Sequence, residues 1–248
     1  MPLLLGVNID HVATLRQARY ARTPECPNAE PSPLVAAHDS LAAGADSITL
    51  HVRGDRRHMQ DADAFAIRSG VPIPLNLEMG VTGEMVDLAL KLRPQYCCLV
   101  PESREELTTE GGLDVLGGFE RIRAAVERLH AVGIQVSLFI DPELGQVQAA
   151  AESGAGMIEL HTGCFANASG AEVETELKRL IDAAVAGHAA GLQVNAGHGI
   201  NYENLTRLWV VPHLAELNIG HSIVSKAMRV GMAAAVREMK DLMATYPG

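Results

Sequence analysis

The stretch at residues 193–199 reads Q-V-N-A-G-H-G and decides the fold. It has the pattern of a short buried strand followed by a polar turn rich in glycine. Five other apolar runs also end in polar residues, at positions 7–11, 49–51, 75–78, 159–161 and 217–221. Buried polar side chains are costly unless they are paired or used. We therefore expect the six runs to be strands whose ends share one pocket.

Strands and helices alternate along the 248 residues of the chain. The apolar runs predict eight strands, at residues 3–8, 46–51, 74–79, 95–100, 135–140, 156–161, 192–196 and 214–219. Alternation with helices indicates a parallel sheet, and eight units favour closure into a barrel. Gly, Pro and Ser are not concentrated mid-chain as a linker would require. The sequence therefore predicts an α/β fold, a (β/α)8 TIM barrel, as a single domain over residues 1–248 with extra short helices.

The segments between the strands are predicted as follows. Residues 10–19 mix polar and apolar side chains and are predicted as a loop with a helical turn, and residues 20–32 carry three prolines and are predicted as surface loop. Helices are expected at 33–43, 61–69, 83–92, 119–131, 142–153, 171–190, 202–208 and 222–246. Residues 101–117 are long for a loop, and we expect them to act as a lid.

The composition excludes several classes of partner. The formal net charge of −10 disfavours general binding to nucleic acid or to an anionic membrane. No apolar run approaches the roughly 20 residues that span a bilayer, and the first residues lack the basic start of a signal peptide. The four cysteines have neither zinc-site nor disulfide-framework spacing. We expect a cytoplasmic protein.

The candidate catalytic groups are the ionisable side chains at the predicted strand ends. In this fold, active sites lie at the carboxyl ends of the strands. That edge is predicted to carry His51, Glu78, His161, His198 and His221. Histidine exchanges protons near neutral pH, and burial should raise the pKa of Glu78 enough to make it a usable base. Five such groups on one rim predict acid–base chemistry.

Two turns after strands seven and eight predict a phosphate site. They read G-H-G at 197–199 and G-H-S at 220–222. Glycines let backbone N–H groups approach an anion, and a helix that starts next adds its dipole. Arg53, Arg57 and His58 form a basic cluster after strand two and predict a second anion site. Two anion sites in one pocket suggest two phosphorylated substrates.

Some chemistries lack the residues they need. All four lysines (Lys91, Lys178, Lys226 and Lys240) fall on predicted helices, which argues against a Schiff-base aldolase. No G-x-G-x-x-G follows a predicted strand, which argues against a dinucleotide cofactor. No three metal ligands are closely spaced, although a site assembled from Glu and His on different strands stays open.

Longer motifs carry a family resemblance. They run in order from end to end of the chain: G-V-N-I-D-H-V-A-T-L-R-Q-A-R at 6–19, I-T-L-H-V-R-G-D-R-R-H at 48–58, N-L-E-M at 76–79, C-C-L-V-P-E at 97–102, T-T-E-G-G-L-D-V at 108–115, Q-V-S-L-F-I-D at 135–141, I-E-L-H-T-G at 158–163, V-N-A-G-H-G at 194–199 and E-L-N-I-G-H at 216–221. In these motifs the sequence closely resembles the pyridoxine 5′-phosphate synthase family.

The resemblance implies a reaction and an assembly. Members of the family condense 1-deoxy-D-xylulose 5-phosphate with 3-amino-2-oxopropyl phosphate, giving pyridoxine 5′-phosphate, phosphate and water. The family needs no cofactor and no metal, and its substrates form an imine with each other, in agreement with the lack of a predicted active-site lysine. The resemblance also implies a homo-octamer built as a tetramer of dimers.

The resemblance also implies roles for single residues. His51 and Glu78 resemble the family's general bases and His198 its general acid. The aminoketone phosphate and the product would be bound by Asn8, Arg19, Gly199, Gly220 and His221. The deoxyxylulose phosphate would be bound by Asp10, His11, Arg53, His58 and Thr108, and Glu159 would add a polar contact. The chain departs from the family pattern at residues 20–32, a segment longer than usual that follows Arg19 directly.

Two other functions are weighed against this one. Another phosphate-binding TIM-barrel lyase or isomerase, such as a metal-dependent aldolase, would use the same phosphate sites, and its metal-dependent form would lose activity to a chelator. A non-catalytic protein that binds pyridoxine phosphate would show no turnover. No feature of the sequence favours the non-catalytic protein, since the groups needed for proton transfer are all there.

Overall fold

Eight parallel strands form a closed barrel in which each strand pairs with its sequence neighbours and β8 pairs with β1. The computed structural model describes residues 2–102 and 111–248. The strands are β1 (Leu4–Asn8), β2 (Ser47–His51), β3 (Leu75–Met79), β4 (Tyr96–Leu99), β5 (Gln135–Ile140), β6 (Met157–His161), β7 (Gln193–Gly197) and β8 (Leu214–Ile219). The predicted (β/α)8 TIM barrel is confirmed.

Helices surround the barrel. They are α1 (Asp10–Tyr20), α2 (Pro33–Ala42), α3 (Asp61–Gly70), α4 (Gly83–Leu92), α5 (Phe119–His130), α6 (Leu144–Glu152), α7 (Gly163–Asn167), α8 (Glu172–Ala189), α9 (His221–Val230) and α10 (Met232–Met243), with a 3₁₀ helix at Leu205–Val210. Ser32 caps α2 by accepting a hydrogen bond from the N–H of Val35. Within the described ranges, no helix has the length and apolar character needed to cross a membrane.

The first helix corrects a prediction. Residues 10–19 were expected to form a loop with a helical turn, but Asp10–Tyr20 is a continuous helix of 11 residues. Its inner face carries Val12 and Ala13 together with Arg16, which is only 3% exposed. The Arg16 guanidinium donates hydrogen bonds of 2.6 and 2.8 Å to the two carboxylate oxygens of Asp63 on α3. A buried arginine in place of an apolar residue concealed the helical period.

Three further predictions of helices need correction. The single helix expected at 222–246 is two helices, because Gly231 takes a φ of +84° between α9 and α10. Such a φ favours glycine and ends the regular helix. The five-residue helix α7 was not predicted. The helix expected at 202–208 is the 3₁₀ helix Leu205–Val210.

Polar side chains fill the lumen of the barrel. Asn218 Nδ2 donates to Glu159 Oε2 at 2.6 Å, and Thr49 Oγ1 donates to Asn218 Oδ1 at 2.8 Å. Lower down, Ser47 donates to Glu216. The apolar residues that alternate with these along the strands are buried in the core. Most TIM barrels fill this space with branched apolar residues, so the lumen departs from the usual pattern.

One glycine makes room for this network. Gly6 lies on β1, and a Cβ at this position would stand 2.1 Å from Asn218 Oδ1 and 2.7 Å from Glu216 Oε1. Real Cβ atoms do not approach other atoms so closely. The lumen therefore holds its polar groups only because position 6 has no side chain.

Candidate active site

A cavity of about 670 Å³ opens at the carboxyl ends of the strands. This size is typical of pockets that bind small molecules. All but two of the predicted site residues line it: Asn8, Asp10, His11, His51, Arg53, His58, Glu78, His198, Gly199, Gly220 and His221. The structure thus brings together side chains from β1, β2, β3, β7 and β8 or from the turns that follow them.

Arg19 is the predicted binding residue within the described ranges that does not line this cavity. It is exposed on the last turn of α1, where its guanidinium carbon lies 5.6 Å from the centre of the Tyr20 ring. Thr108 lies outside the described residues, as do residues 103–110 of the predicted lid as a whole. His161, which was expected on the rim, is buried at the end of β6 and does not line the cavity either.

Asn8 and Asp10 organise one wall of the cavity. Asn8 Nδ2 donates to Asp10 Oδ2 at 3.0 Å and to Glu78 Oε2 at 3.4 Å. Asp10 Oδ1 accepts the backbone N–H of His51 at 2.7 Å. His51 and Glu78 are register partners on neighbouring strands. The two predicted bases are therefore held at one level of the barrel by hydrogen bonds from β1 and the start of α1.

Glu78 has the electrostatics of a proton acceptor that works near neutral pH. Burial raises its pKa well above the ordinary value, and the neighbouring carboxylates Glu159 and Asp10 raise it further, against the hydrogen bond from Asn8. A carboxylate with a raised pKa is a stronger base than one in water. The sequence-based expectation of a raised pKa for Glu78 agrees with this environment.

Glu159 forms the floor beneath Glu78. It is 2% exposed, and burial raises its pKa to about 8, against the hydrogen bond from Asn218. Glu159 also lines the cavity. The half-buried Glu78 and the buried Glu159 therefore both line the cavity with raised pKa values, and each can carry a proton.

His11, His198 and His221 line one part of the cavity, and the ring of His161 contacts His198 without lining the cavity itself. The rings of His11 and His221 have centroids 5.0 Å apart, and those of His161 and His198 are 5.1 Å apart. Burial, together with the smaller effect of the neighbouring histidines, lowers the pKa of His198 to about 4. Burial also lowers the pKa of His11, against the charge of Asp10. A bound anion would favour the protonated rings, so this cluster suits a phosphate.

Backbone geometry supports the same anion site. His198 and Gly199 have φ values of +76° and +81°, and a Cβ on Gly199 would lie 2.5 Å from the Cβ of Ala166. Gly220 precedes α9, whose first intrahelical hydrogen bond is donated by Val224. The N–H groups of the first turn therefore have no acceptor within the helix, and the helix dipole favours an anion there.

The second basic cluster lies after β2, on the other side of β1. Arg53 is 3% exposed and lines the cavity together with Arg57 and His58. His58 Nδ1 accepts the N–H of Met59 at 2.7 Å, which leaves Nε2 as the ring's donor. Arg57 pairs with Asp55 at 2.6 Å. The cluster has donors suited to a second phosphate group.

The sequence analysis left open a metal site with ligands from different strands. Asp10, His51 and Glu78 each offer a ligand atom, and these atoms lie within 4.8 Å of one another. The Asp10 and Glu78 carboxylates already share the amide of Asn8, and His51 Nε2 lies 2.8 Å from Glu102. The cluster could hold a divalent cation, but its partners in the protein equally suit proton transfer.

The sequence of the whole barrel matches one family model. It is described as "Pyridoxal phosphate biosynthesis protein PdxJ", and the match covers residues 5–245. The chain belongs to the PdxJ family. A relative from Akkermansia muciniphila named "Pyridoxine 5′-phosphate synthase" is 64% identical over 240 residues, which are 96% of this chain and 98% of the relative. A relative of the same name from Idiomarina loihiensis is 51% identical over 242 residues, 97% of each chain.

Solved structures show that the PdxJ fold is widely shared. KGPDC from Streptococcus mutans has a TM-score of 0.67 and 14% identity over all of both chains. A 3-hexulose-6-phosphate synthase has a TM-score of 0.64 and 14% identity, covering 96% of this chain and 99% of the other. Phosphoribosyl anthranilate isomerase from Thermus thermophilus has a TM-score of 0.60 and 16% identity, covering 98% and 99%. At these identities the likeness concerns the fold alone.

The PdxJ motifs also contain residues to which no role was assigned from the sequence. Glu102 ends the motif C-C-L-V-P-E and contacts His51. Asp141 ends the motif Q-V-S-L-F-I-D, and its Oδ1 lies 2.8 Å from His161 Nδ1. Each follows a strand end closely, so the rule that located His51 and Glu78 applies to them as well. The partners themselves come from other strands and were not predictable from local sequence.

Proposed function

We propose that the protein is a pyridoxine 5′-phosphate synthase that condenses 1-deoxy-D-xylulose 5-phosphate with 3-amino-2-oxopropyl phosphate. The products are pyridoxine 5′-phosphate, inorganic phosphate and water. The observation that carries the proposal is the 64% identity, over 96% of the chain, to a relative named for this activity. The cavity supports it, because buried carboxylates and histidines for proton transfer lie among donors for two phosphate groups.

The roles of single residues follow from the resemblance and the geometry together. His51 and Glu78 act as general bases, and their common level on β2 and β3 lets both reach one bound intermediate. His198 acts as the general acid. With a pKa of about 4 it is neutral in the empty site, so the substrate phosphates must help to protonate it. Phosphate binding and the protonation of His198 are thereby coupled.

Phosphate binding is divided between the two sides of β1. The aminoketone phosphate and the product bind Asn8, Gly199, Gly220 and His221, and the deoxyxylulose phosphate binds Asp10, His11, Arg53 and His58. Thr108 keeps its proposed contact to the deoxyxylulose phosphate. Arg19 keeps its proposed contact to the aminoketone phosphate, and its exposed position on α1 fits a role toward a neighbouring subunit.

The finer statements about the whole protein are part of the same proposal. The chain acts as a single catalytic domain in the cytoplasm, without cofactor or metal, and assembles as a homo-octamer, a tetramer of dimers. Light scattering after size-exclusion chromatography measures the assembly. A mass corresponding to eight chains supports it, and any smaller mass at working concentration contradicts it.

The decisive experiment is an assay of chelator-treated protein with both substrates, in which pyridoxine 5′-phosphate is detected by mass and fluorescence. We expect product from the untreated and the chelated protein alike. His198→Ala and Glu78→Gln should abolish turnover while the circular dichroism spectrum is retained. Matched controls on the surface of α5, His130→Ala and Glu120→Gln, should keep full activity. Full activity of Glu78→Gln would contradict its role as base.

Treatment with a chelator also distinguishes the synthase from a second candidate function. The spacing of Asp10, His51 and Glu78, with ligand atoms within 4.8 Å, is the one observation that favours a metal-dependent phosphate-binding lyase or isomerase. Such an enzyme would lose its activity on chelation and regain it with Mg²⁺ or Mn²⁺. No product from folded protein and intact substrates, with or without metal, would contradict the synthase.

A further inference from the structure

Glu102 is the residue that holds the ring of His51. Its Oε1 lies 2.8 Å from His51 Nε2 and accepts the backbone N–H of Gly80 at 3.1 Å. Its Oε2 accepts the backbone N–H of Gly54 at 3.2 Å. The carboxylate therefore connects the segments that follow β2, β3 and β4. Nothing in the proposed reaction assigns a role to this residue.

Each oxygen of the Glu102 carboxylate accepts a backbone N–H group, from Gly54 and from Gly80, as an ionised carboxylate does. Burial alone would raise its pKa, but the hydrogen bond to His51 and the N–H groups of Gly54 and Gly80 hold the pKa of Glu102 below its ordinary value. An ionised carboxylate only accepts hydrogen bonds. The bond to His51 must then be donated by Nε2–H.

We propose that Glu102 is a positioning residue, which fixes the His51 ring as the Nε2–H tautomer and leaves Nδ1 as the proton-accepting atom. The proposal rests on the role of His51 as a base in the proposed function. A carboxylate behind a catalytic imidazole both orients the ring and stabilises the imidazolium that forms when the base takes a proton. Asp10 holds the backbone N–H of the same residue, so His51 is fixed at both ends.

The surroundings of Glu102 are shaped to hold it. A Cβ on Gly80 would lie 2.8 Å from the Cδ of Glu102 and 2.9 Å from its Oε2. Gly80 does not adopt a positive φ, so its backbone would accept alanine. Within the part of the chain that the structure describes, the three atoms nearest to an alanine Cβ here all belong to the Glu102 side chain. Substitution of Gly80 thus displaces the carboxylate without changing its chemistry.

Glutamine cannot replace this carboxylate. If its oxygen faces His51 and Gly80, its NH₂ group meets the N–H of Gly54 and two donors oppose each other. If the amide is flipped, its NH₂ group faces His51 Nε2 and favours the opposite tautomer, in which Nδ1 carries the proton. Either orientation loses a hydrogen bond, and the flipped one also removes the base.

The test combines kinetics and NMR on the full chain. We expect Glu102→Gln to lower kcat by about 100-fold. Loss of a residue that hydrogen-bonds a metal-bound histidine typically lowers activity by about 10- to 100-fold, and replacement of the triad aspartate in a serine protease lowers kcat by about 10⁴-fold. KM for the aminoketone phosphate should stay within about three-fold, because Glu102 contacts none of the residues proposed to bind it, whereas Glu102 does accept the N–H of Gly54 next to Arg53. Gly80→Ala should lower kcat by about 10-fold through misplacement of the ring. Gly83→Ala, where a Cβ meets nothing within 4 Å, is the matched control and should be unaffected.

Nitrogen-15 histidine NMR reports on the tautomer without any turnover. In the wild-type protein we expect His51, assigned by loss of its signals in His51→Gln, to show a protonated Nε2 and an unprotonated Nδ1, with a ring N–H proton that exchanges slowly with water. Glu102→Gln and Gly80→Ala should lose the slow exchange. A protonated Nδ1 in the wild type, or kcat of Glu102→Gln within two-fold of wild type, would overturn the proposal. Because the NMR result needs no substrate, failure of the proposed reaction is recognised separately.

Discussion

Replacing Glu159 by Gln should raise the free energy of unfolding, by an amount that grows with pH. In the folded protein burial raises the pKa of Glu159 to about 8, against an ordinary value of 4.5. The unfolded chain therefore releases this proton near pH 4.5, whereas the folded protein keeps it to about pH 8. The native state binds more protons over this interval, so its stability falls as pH rises.

The magnitude follows from the titration of one proton. Each pH unit between the two pKa values costs the folded protein about 1.4 kcal/mol, and the whole interval costs about 5 kcal/mol. Glutamine is neutral at every pH, and its amide oxygen can still accept the hydrogen bond from Asn218 that Glu159 accepts at 2.6 Å. Glu159→Gln should therefore avoid the loss of stability at high pH while it keeps the hydrogen bond from Asn218.

Urea unfolding of wild type and Glu159→Gln at pH 5, 6, 7 and 8 measures the effect. The difference in free energy of unfolding should be below about 1 kcal/mol at pH 5 and grow by about 1.4 kcal/mol per unit above it. Glu120→Gln on the exposed face of α5 is the control, and its difference should not change with pH. A difference for Glu159→Gln that is flat across the four pH values, or a variant less stable at all of them, would refute the reasoning.

Three further outcomes are expected. Gly6→Ala should cost about 1–3 kcal/mol or more of stability, because its Cβ would overlap Asn218, while Gly156→Ala, with open space around it, should melt like wild type. Arg16→Met removes the arginine that pairs with the Asp63 carboxylate on α3, and it should lower the free energy of unfolding by about 3–5 kcal/mol in a urea titration. An unchanged unfolding midpoint would show that the ion pair contributes nothing to stability. In an NMR titration His198 should stay neutral down to about pH 4, and added inorganic phosphate should raise its pKa; a pKa that phosphate does not move would contradict a shared site.

Local pattern predicted most of the barrel because each strand and helix carries its own signal. The bounds of β5, β8 and α4 agree with the prediction residue for residue. The polar strand ends predicted the cavity for a topological reason: parallel strands in a closed barrel bring their carboxyl ends to one rim. His51 and Glu78 needed no knowledge of the packing to be placed there.

The errors arose where long-range contacts decide the outcome. Arg16 is inward-facing only because Asp63 on α3 is there to receive it. Glu102 owes its position to backbone N–H groups from two other segments, and His161 was placed on the rim although the Asp141 carboxylate and the Phe139 ring enclose it. No periodicity within one strand reports such partners. A residue could therefore be assigned to the site from sequence when its place at a strand end is enough to put it there. It could not be assigned when a contact with a second element determines its position.

The missing side chain at Gly6 has a consequence for how this sequence can change. Position 6 and position 218 share one volume, and the amide of Asn218 occupies it. Alanine at position 6 is harmful while Asn218 is in place, and becomes sterically acceptable only once position 218 has a small side chain and the Glu216 carboxylate and the Ser47 hydroxyl have also moved away. The effect of alanine at position 6 on stability therefore depends on whether position 218 has been substituted first, which is sign epistasis. Libraries that vary the lumen one position at a time will miss the viable combinations, and paired libraries will find them.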